Sequence, residues 1–172
     1  MKEMTRVVEL PADSVIAKLY DHAALADAFA ITLPDDIDLD IEQIAQAILG
    51  TPSWWFRLLL ACRDALVALF GIKTSIQLRE EIELAAMPHI HFFPIVSRTP
   101  AEVVVGTDEK HLRFRTSVLL SRNPLIRRNE VVVTTVVHNL NRLGNVYLMM
   151  IAPFHRLVVR SNLQRAASRG WK

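Results

Sequence analysis

Hydrophobic and polar positions follow two different periods along this chain, and the change falls near its middle. From residue 92 onward, apolar residues recur at alternate positions in four runs rich in Val, Phe, Ile and Thr: Phe92 to Ser97, Ala101 to Thr107, His111 to Leu120 and Glu130 to Asn139. Such alternation predicts strands. Thr99-Pro100, Gly106 to Lys110 and Arg122 to Pro124 supply turns between them, so the runs read as an antiparallel meander. In the third run Leu112, Phe114, Thr116 and Val118 share one face, and His111, Arg113, Arg115 and Ser117 share the other. One face is expected to pack and one to meet water. The fourth run is apolar on both faces, with Val131, Val133 and Val137 alternating with Val132 and Val136. It is expected at the centre of the sheet or covered on both sides.

The first half reads mostly at the helical period. Met4 to Leu10 is β-prone and stops at Pro11, which cannot donate to a ladder. Asp13 to Ala30 is rich in Ala and Leu and predicts a helix capped by Asp13 or Ser14. Thr32 to Asp40, with Pro34 and four aspartates, predicts a loop. Ile41 to Leu49 places Ile41, Ile44, Ala45 and Ile48 on one stripe of a short amphipathic helix that Gly50 ends. Thr51-Pro52 opens a further helix, with Trp55, Leu58, Leu59, Cys62, Leu66 and Leu69 on its stripe and Gly71 as its stop. Ile72 to Met87 fits either a short helix or an irregular strand. After Gly144, Val146 to Ala167 returns to helical spacing, and Pro153 inside it is expected to kink or split the helix.

The order is therefore strand, helices, meander, long helix. A sheet with one apolar face must bury it, and the final helix is the long apolar partner. The expected fold is α+β of the helix-grip type, a curved antiparallel sheet wrapped around a long C-terminal helix. It spans residues 1–172 as a single domain, within the usual range of about 100–200 residues. Such a helix closes the mouth of a groove, and concave apolar spaces are where small ligands bind. A fully packed interior is the alternative.

The runs FFPIVSRTPAEVVVGTDEKHLRFRTSVLL (Phe92 to Leu120) and VVVTTVVHNLNRLGNVYLMMIAPFHRLVVR (Val131 to Arg160) resemble the bacterial family known as domain of unknown function 2867. So do ADAF (Ala26 to Phe29) and TPSWWFRLLLACRDAL (Thr51 to Leu66), and PFHRLVVR (Pro153 to Arg160) is the most specific segment. The family in turn resembles the START-like superfamily of helix-grip proteins, whose members bind lipids, sterols, polyketides and hormones and include cyclases and aromatases. The resemblance implies a START-like domain and a small apolar ligand.

Composition narrows the partners. Hydrophobic residues make up 51% of the chain, which argues against disorder. The formal net charge of +2 is too small to imply a nucleic-acid partner. The lone Cys62 excludes an intramolecular disulfide and a cysteine zinc cluster, and suits a reduced, cytoplasmic protein. Trp54 to Phe70 is the most apolar stretch, but Arg57, Arg63 and Asp64 interrupt it, so it reads as a core helix rather than an integral membrane span. A homo-oligomer is compatible with the sequence.

Catalytic signatures are missing: there is no GxGxxG, Walker loop, GxSxG or HExxH. No cofactor, metal ligand set or catalytic residue is assigned. His89 and His91 lie on one side of an extended segment without a third ligand, so a polar turn is the favoured reading. Arg113, Arg115 and His111, with Arg156 and Arg160, form either a solvated face or an anion-binding surface. Arg63-Asp64 is either the wet edge of its helix or part of a buried network. Two readings stand for His155: a ring that bonds or deprotonates a ligand, or a packing residue donating to a carbonyl freed by Pro153. The candidate ligand contacts are Trp55, Phe114, Tyr147, Met150 and Phe154 as apolar surfaces, with Thr135, Tyr147 and His155 as orienting polar groups.

Overall fold

The computed structural model describes residues 4–35, 37, 39–50, 54–68, 74–84, 86–91, 93–109, 111–123, 125 and 128–171. Strands run Arg6–Val8 (β1), Leu25–Thr32 (β2), His89–Ile90 (β3), Phe93–Arg98 (β4), Glu102–Asp108 (β5), Leu112–Arg122 (β6) and Asn129–Asn139 (β7). Helices are Ile41–Leu49 (α1), Trp54–Ala68 (α2), Ser75–Leu84 (α3) and Arg142–Ser168 (α4). The meander is as its alternation implies. All strand pairs are antiparallel, in the order β1-β2-β7-β6-β5-β4-β3, and the sheet is curved. The doubly apolar β7 is central, and its residues from Glu130 to Val137 are buried.

The expected helix over Asp13 to Ala30 is corrected. That stretch holds a single 3₁₀ turn, Ala17–Leu19, followed by β2. Ala26, Ala28 and Ala30 alternate with Asp27, Phe29 and Ile31, and pairing to β1 and β7 overrides the helix propensity of alanine. The small side chains face outward, where Ala28 and Ala30 pack with Val132 and Leu119 beneath Val8 and Leu10.

On the inner face Phe29, Ile31, Val103, Val105, Val118, Val131 and Val133 form the core. They close against Ile41, Ile44 and Ile48 of α1 and Val159, Leu163 and Ala166 of α4. Helix α1 starts on a reciprocal cap. Asp40 accepts from the Gln43 amide at 2.8 Å, and the Gln43 side chain accepts from the Asp40 amide at 3.0 Å.

The outer face is not left to water. Residues 11–23 fold over it and bury Ile16, Val104 and Val136 together, with Leu19, Tyr20 and Ala23 alongside. Glu102, 2% exposed, accepts from the Ser14 hydroxyl at 2.6 Å and the Val15 amide at 2.8 Å, and also from the Ser117 hydroxyl. Ser117, expected on a solvated face, is therefore buried. Burial also pushes the Tyr20 phenol up.

Helix α2 is not the core helix its composition suggested. Trp54 is 71% exposed, Leu58 is exposed, and so is the thiol of Cys62. Of the two readings for Asp64, the polar network is nearer: half-buried, it accepts from the Ser75 amide at 3.0 Å and from the Ser75 hydroxyl, fixing the start of α3. The ambiguous stretch after Ile72 thus contains a helix. The proposed cap at Thr51-Pro52, the stop at Gly71 and the side chains of Arg63, Leu66 and Leu69 lie outside the described residues.

Helix α4 runs unbroken through Pro153, so neither a split nor a separate second helix is seen. Asn141 opens it by accepting from the Gly144 amide at 3.0 Å. Gly144 is required there because a Cβ would run into the His111 carbonyl. Beyond the helix, Gly170 turns the chain with φ +67° and Trp171 tucks into the core, 3% exposed.

Candidate functional site: a trough beside helix α4

Helix α4 lies over β2 and β7, while α1 lies over β5, β6 and β3. The inner face between them is uneven. Val103, Val105, Val118 and Val133 are sealed, yet Phe93, Ile95, Phe114 and Thr116 on the same face are half-buried. They form a partly exposed strip on β4 and β6, here termed the trough, with the sealed Val105 between Ile95 and Thr116. Phe93 and Phe114 meet edge to face, ring centroids 5.8 Å apart, and give it an aromatic wall.

A polar row crosses the sheet beside this wall. Asp27 on β2 stands opposite Thr135 on β7, and Thr135 stands opposite Thr116 on β6. The two threonine hydroxyls are 3.3 Å apart. The row separates the core around Phe29, Val133 and Val118 from a second apolar cluster of Leu112, Val137 and Leu148, joined by Leu25, Phe114 and Tyr147.

Helix α4 delivers an imidazole and a guanidinium to the end of that row. His155 Nε2 lies 3.2 Å from Asp27 Oδ1, and Arg156 Nε lies 3.5 Å from Asp27 Oδ2. The carboxylate is 8% exposed, the imidazole 17% and the guanidinium 65%. Asp27 Oδ2 is sealed and has no hydrogen-bond partner among the described residues. A buried carboxylate is costly unless paired, so His155 and Arg156 account for its tolerance here. Of the two readings of His155, donation to a backbone carbonyl is corrected: the ring meets a side-chain carboxylate instead.

The sequence-derived contacts divide into two groups. Phe114, Thr135, Tyr147 and His155 gather along the trough, the polar row and the adjoining cluster. Trp55 sits half-buried on α2. Met150 and Phe154 are exposed, on a stripe with Val146 and Leu157 that points away from the buried Leu148, Val159 and Ala166 and the half-buried His155. Asp27, Thr116 and Phe93 were not among the expected contacts. The strict alternation of alanines in LADAFAIT was the signal that could have placed Asp27 on the inner face.

The other clusters are structural. His91 occupies a left-handed turn with φ +58°, its Nε2 3.4 Å from Arg79, and burial followed by that guanidinium holds its imidazole below the usual value. His89 is exposed and bonds the Met87 carbonyl at 2.9 Å. Among the described residues no group of three or more His, Cys, Asp or Glu is placed to hold a metal ion. Two members of the arginine face are ion-paired: Arg115 and Arg113 reach Asp108 at 2.7 and 3.1 Å, and the Arg115 hydrogen bond holds the Asp108 carboxyl below its usual range. Among the described residues no helix is long and apolar enough to cross a membrane.

Comparison by sequence adds a family. The profile described as "Protein of unknown function (DUF2867)" matches residues 19–162. The chain belongs to the DUF2867 family. No curated protein and no solved structure matches it significantly. The DUF2867 match encloses Asp27, Phe93, Phe114, Thr116, Thr135, Tyr147 and His155, and so contains the trough with its polar row.

Proposed function

We propose that this DUF2867 protein is a helix-grip domain of the START-like kind and holds a small, mainly apolar ligand in the trough between sheet and α4. The connectivity supports the first part. The last strand, β7, lies beside β2, helices intervene between β2 and β3, and a long helix follows β7 and packs on the inner face. The second part is carried by one observation: Phe93, Ile95, Phe114 and Thr116 stay half-buried on a face where Val103, Val105, Val118 and Val133 are sealed. Aromatic and aliphatic walls beside a few placed polar groups are the usual makeup of a small-molecule site. Phe114 and Tyr147 would supply apolar contact, with His155 and the Thr116–Thr135 pair orienting one polar group. Trp55, Met150 and Phe154 join only if α2 or α4 shifts on binding.

A thermal-shift panel of fatty acids, sterols and aromatic polyketides tests this. Binding to the folded state raises the melting temperature by mass action. A shift for at least one class, lost in Thr116→Trp, is expected. No shift across the panel, or a shift that Thr116→Trp leaves intact, contradicts it.

A further inference from the structure

Asp27 fixes the chemistry of the His155 ring. Against an ionised carboxylate, which only accepts hydrogen bonds, a neutral ring makes the 3.2 Å contact by donating from Nε2. Nδ1 is then left as a basic acceptor. It has no partner among the described residues and is not a sealed atom. An imidazole held through one nitrogen by a buried carboxylate, with the other nitrogen open, is oriented to take a proton.

We propose that Asp27 and His155 form a proton-accepting dyad that receives the hydroxyl of a weakly acidic ligand, a phenol or an enol, lodged in the trough. The proposal rests on the binding reading above and names its ligand class. In the transfer the ligand O–H bond breaks, its electron pair stays on oxygen, and the proton forms an N–H bond at Nδ1. The imidazolium remains paired with Asp27. Before transfer the charges of Asp27, His155 and Arg156 sum to zero; afterwards they leave one positive charge, which balances the new oxyanion. A ligand presenting only acceptors, such as an ester or ketone without an enol form, would leave Nδ1 unsatisfied.

Two probes separate this from the binding reading. N-phenylnaphthylamine fluoresces in apolar sites and has no hydroxyl. The para-nitrophenolate ion absorbs visible light, whereas its parent phenol does not. At a pH where free para-nitrophenol is chiefly the phenol, the wild-type protein is expected to brighten N-phenylnaphthylamine. It should also draw out the phenolate band, with para-nitrophenol displacing the first probe. His155→Gln keeps an amide donor toward Asp27 and removes Nδ1. It is expected to fold with an unchanged circular dichroism spectrum and to weaken the phenolate signal about tenfold. If the wild type takes up neither probe, both readings fall. If it takes up N-phenylnaphthylamine but yields no phenolate band, or one unchanged in His155→Gln, the dyad alone falls and the contact is a structural tie. Should His155→Gln fail to fold, NMR of isotope-labelled histidine in the wild type decides. An unprotonated Nδ1 that shifts on adding para-nitrophenol supports the dyad; a protonated or unmoved Nδ1 overturns it.

Discussion

The imidazole of His155 stands 3.2 Å from the carboxylate of Asp27, joining residues 128 positions apart in the chain. The contact ties the middle of α4 to β2 and ends the polar row that borders the trough. The pair should therefore be energetically coupled. Asp27→Ala and His155→Ala, which remove the contact, are each expected to destabilise the fold by about 1–3 kcal/mol. The double variant should cost less than their sum by at least about 0.5 kcal/mol. Denaturant melts of the four proteins measure this, and strict additivity would remove the coupling.

That contact also marks the limit of what the sequence carried. The strands from β4 to β7 were legible because β-branched residues alternate between turn signals, and the doubly apolar β7 announced its central place. Helix α1 was legible from one stripe and one glycine. Leu25–Thr32 was not, because Ala and Leu raise helix propensity and only pairing on both edges makes the segment a strand. Asp27 was lost with it, since its face exists only once β2 does. His155 stood out as a histidine near Pro153, but its partner lies across the fold, beyond any local spacing. Trp54 misled for a different reason: large aromatics usually pack inside, and here α2 leaves it in water.

Glu102 anchors the N-terminal segment to the outer face. Replacing it by Ala leaves the Ser14 and Ser117 hydroxyls and the Val15 amide without their acceptor. The expected cost is about 3 kcal/mol. Hydrogen exchange should show residues 11–20 opening first, and unchanged protection there would contradict the assignment.

Trp171 is part of the core. It is 3% exposed and packs with the α1 and α4 cluster. Trp171→Ala is expected to lower stability by about 3–5 kcal/mol. Calorimetry checks it, and a loss within about 0.5 kcal/mol, as for a surface site, would contradict it.

His91 gives the fold a pH dependence of known sign. Its folded imidazole is held below the ordinary value, first by burial and then by Arg79. As pH falls below about 6.5 the unfolded chain takes up this proton before the folded one does, so stability falls with it. His91→Asn tolerates the left-handed turn and does not titrate. It should flatten stability against pH in that window. Asp108 acts lower down: its carboxyl is held below the usual range by Arg115, and its half-exposed contribution is present above the ordinary carboxylate value. That contribution disappears as pH falls through the folded value. A His91→Asn profile as steep as the wild type would contradict the assignment.

Whether the trough is a binding site is tested most directly by native mass spectrometry of the protein purified under mild conditions from the organism that makes it. A bound small molecule with an apolar body is expected, released on activation and missing from Thr116→Trp. Wild-type protein that flies only at its bare mass would contradict the account, as would an adduct that persists undiminished in Thr116→Trp.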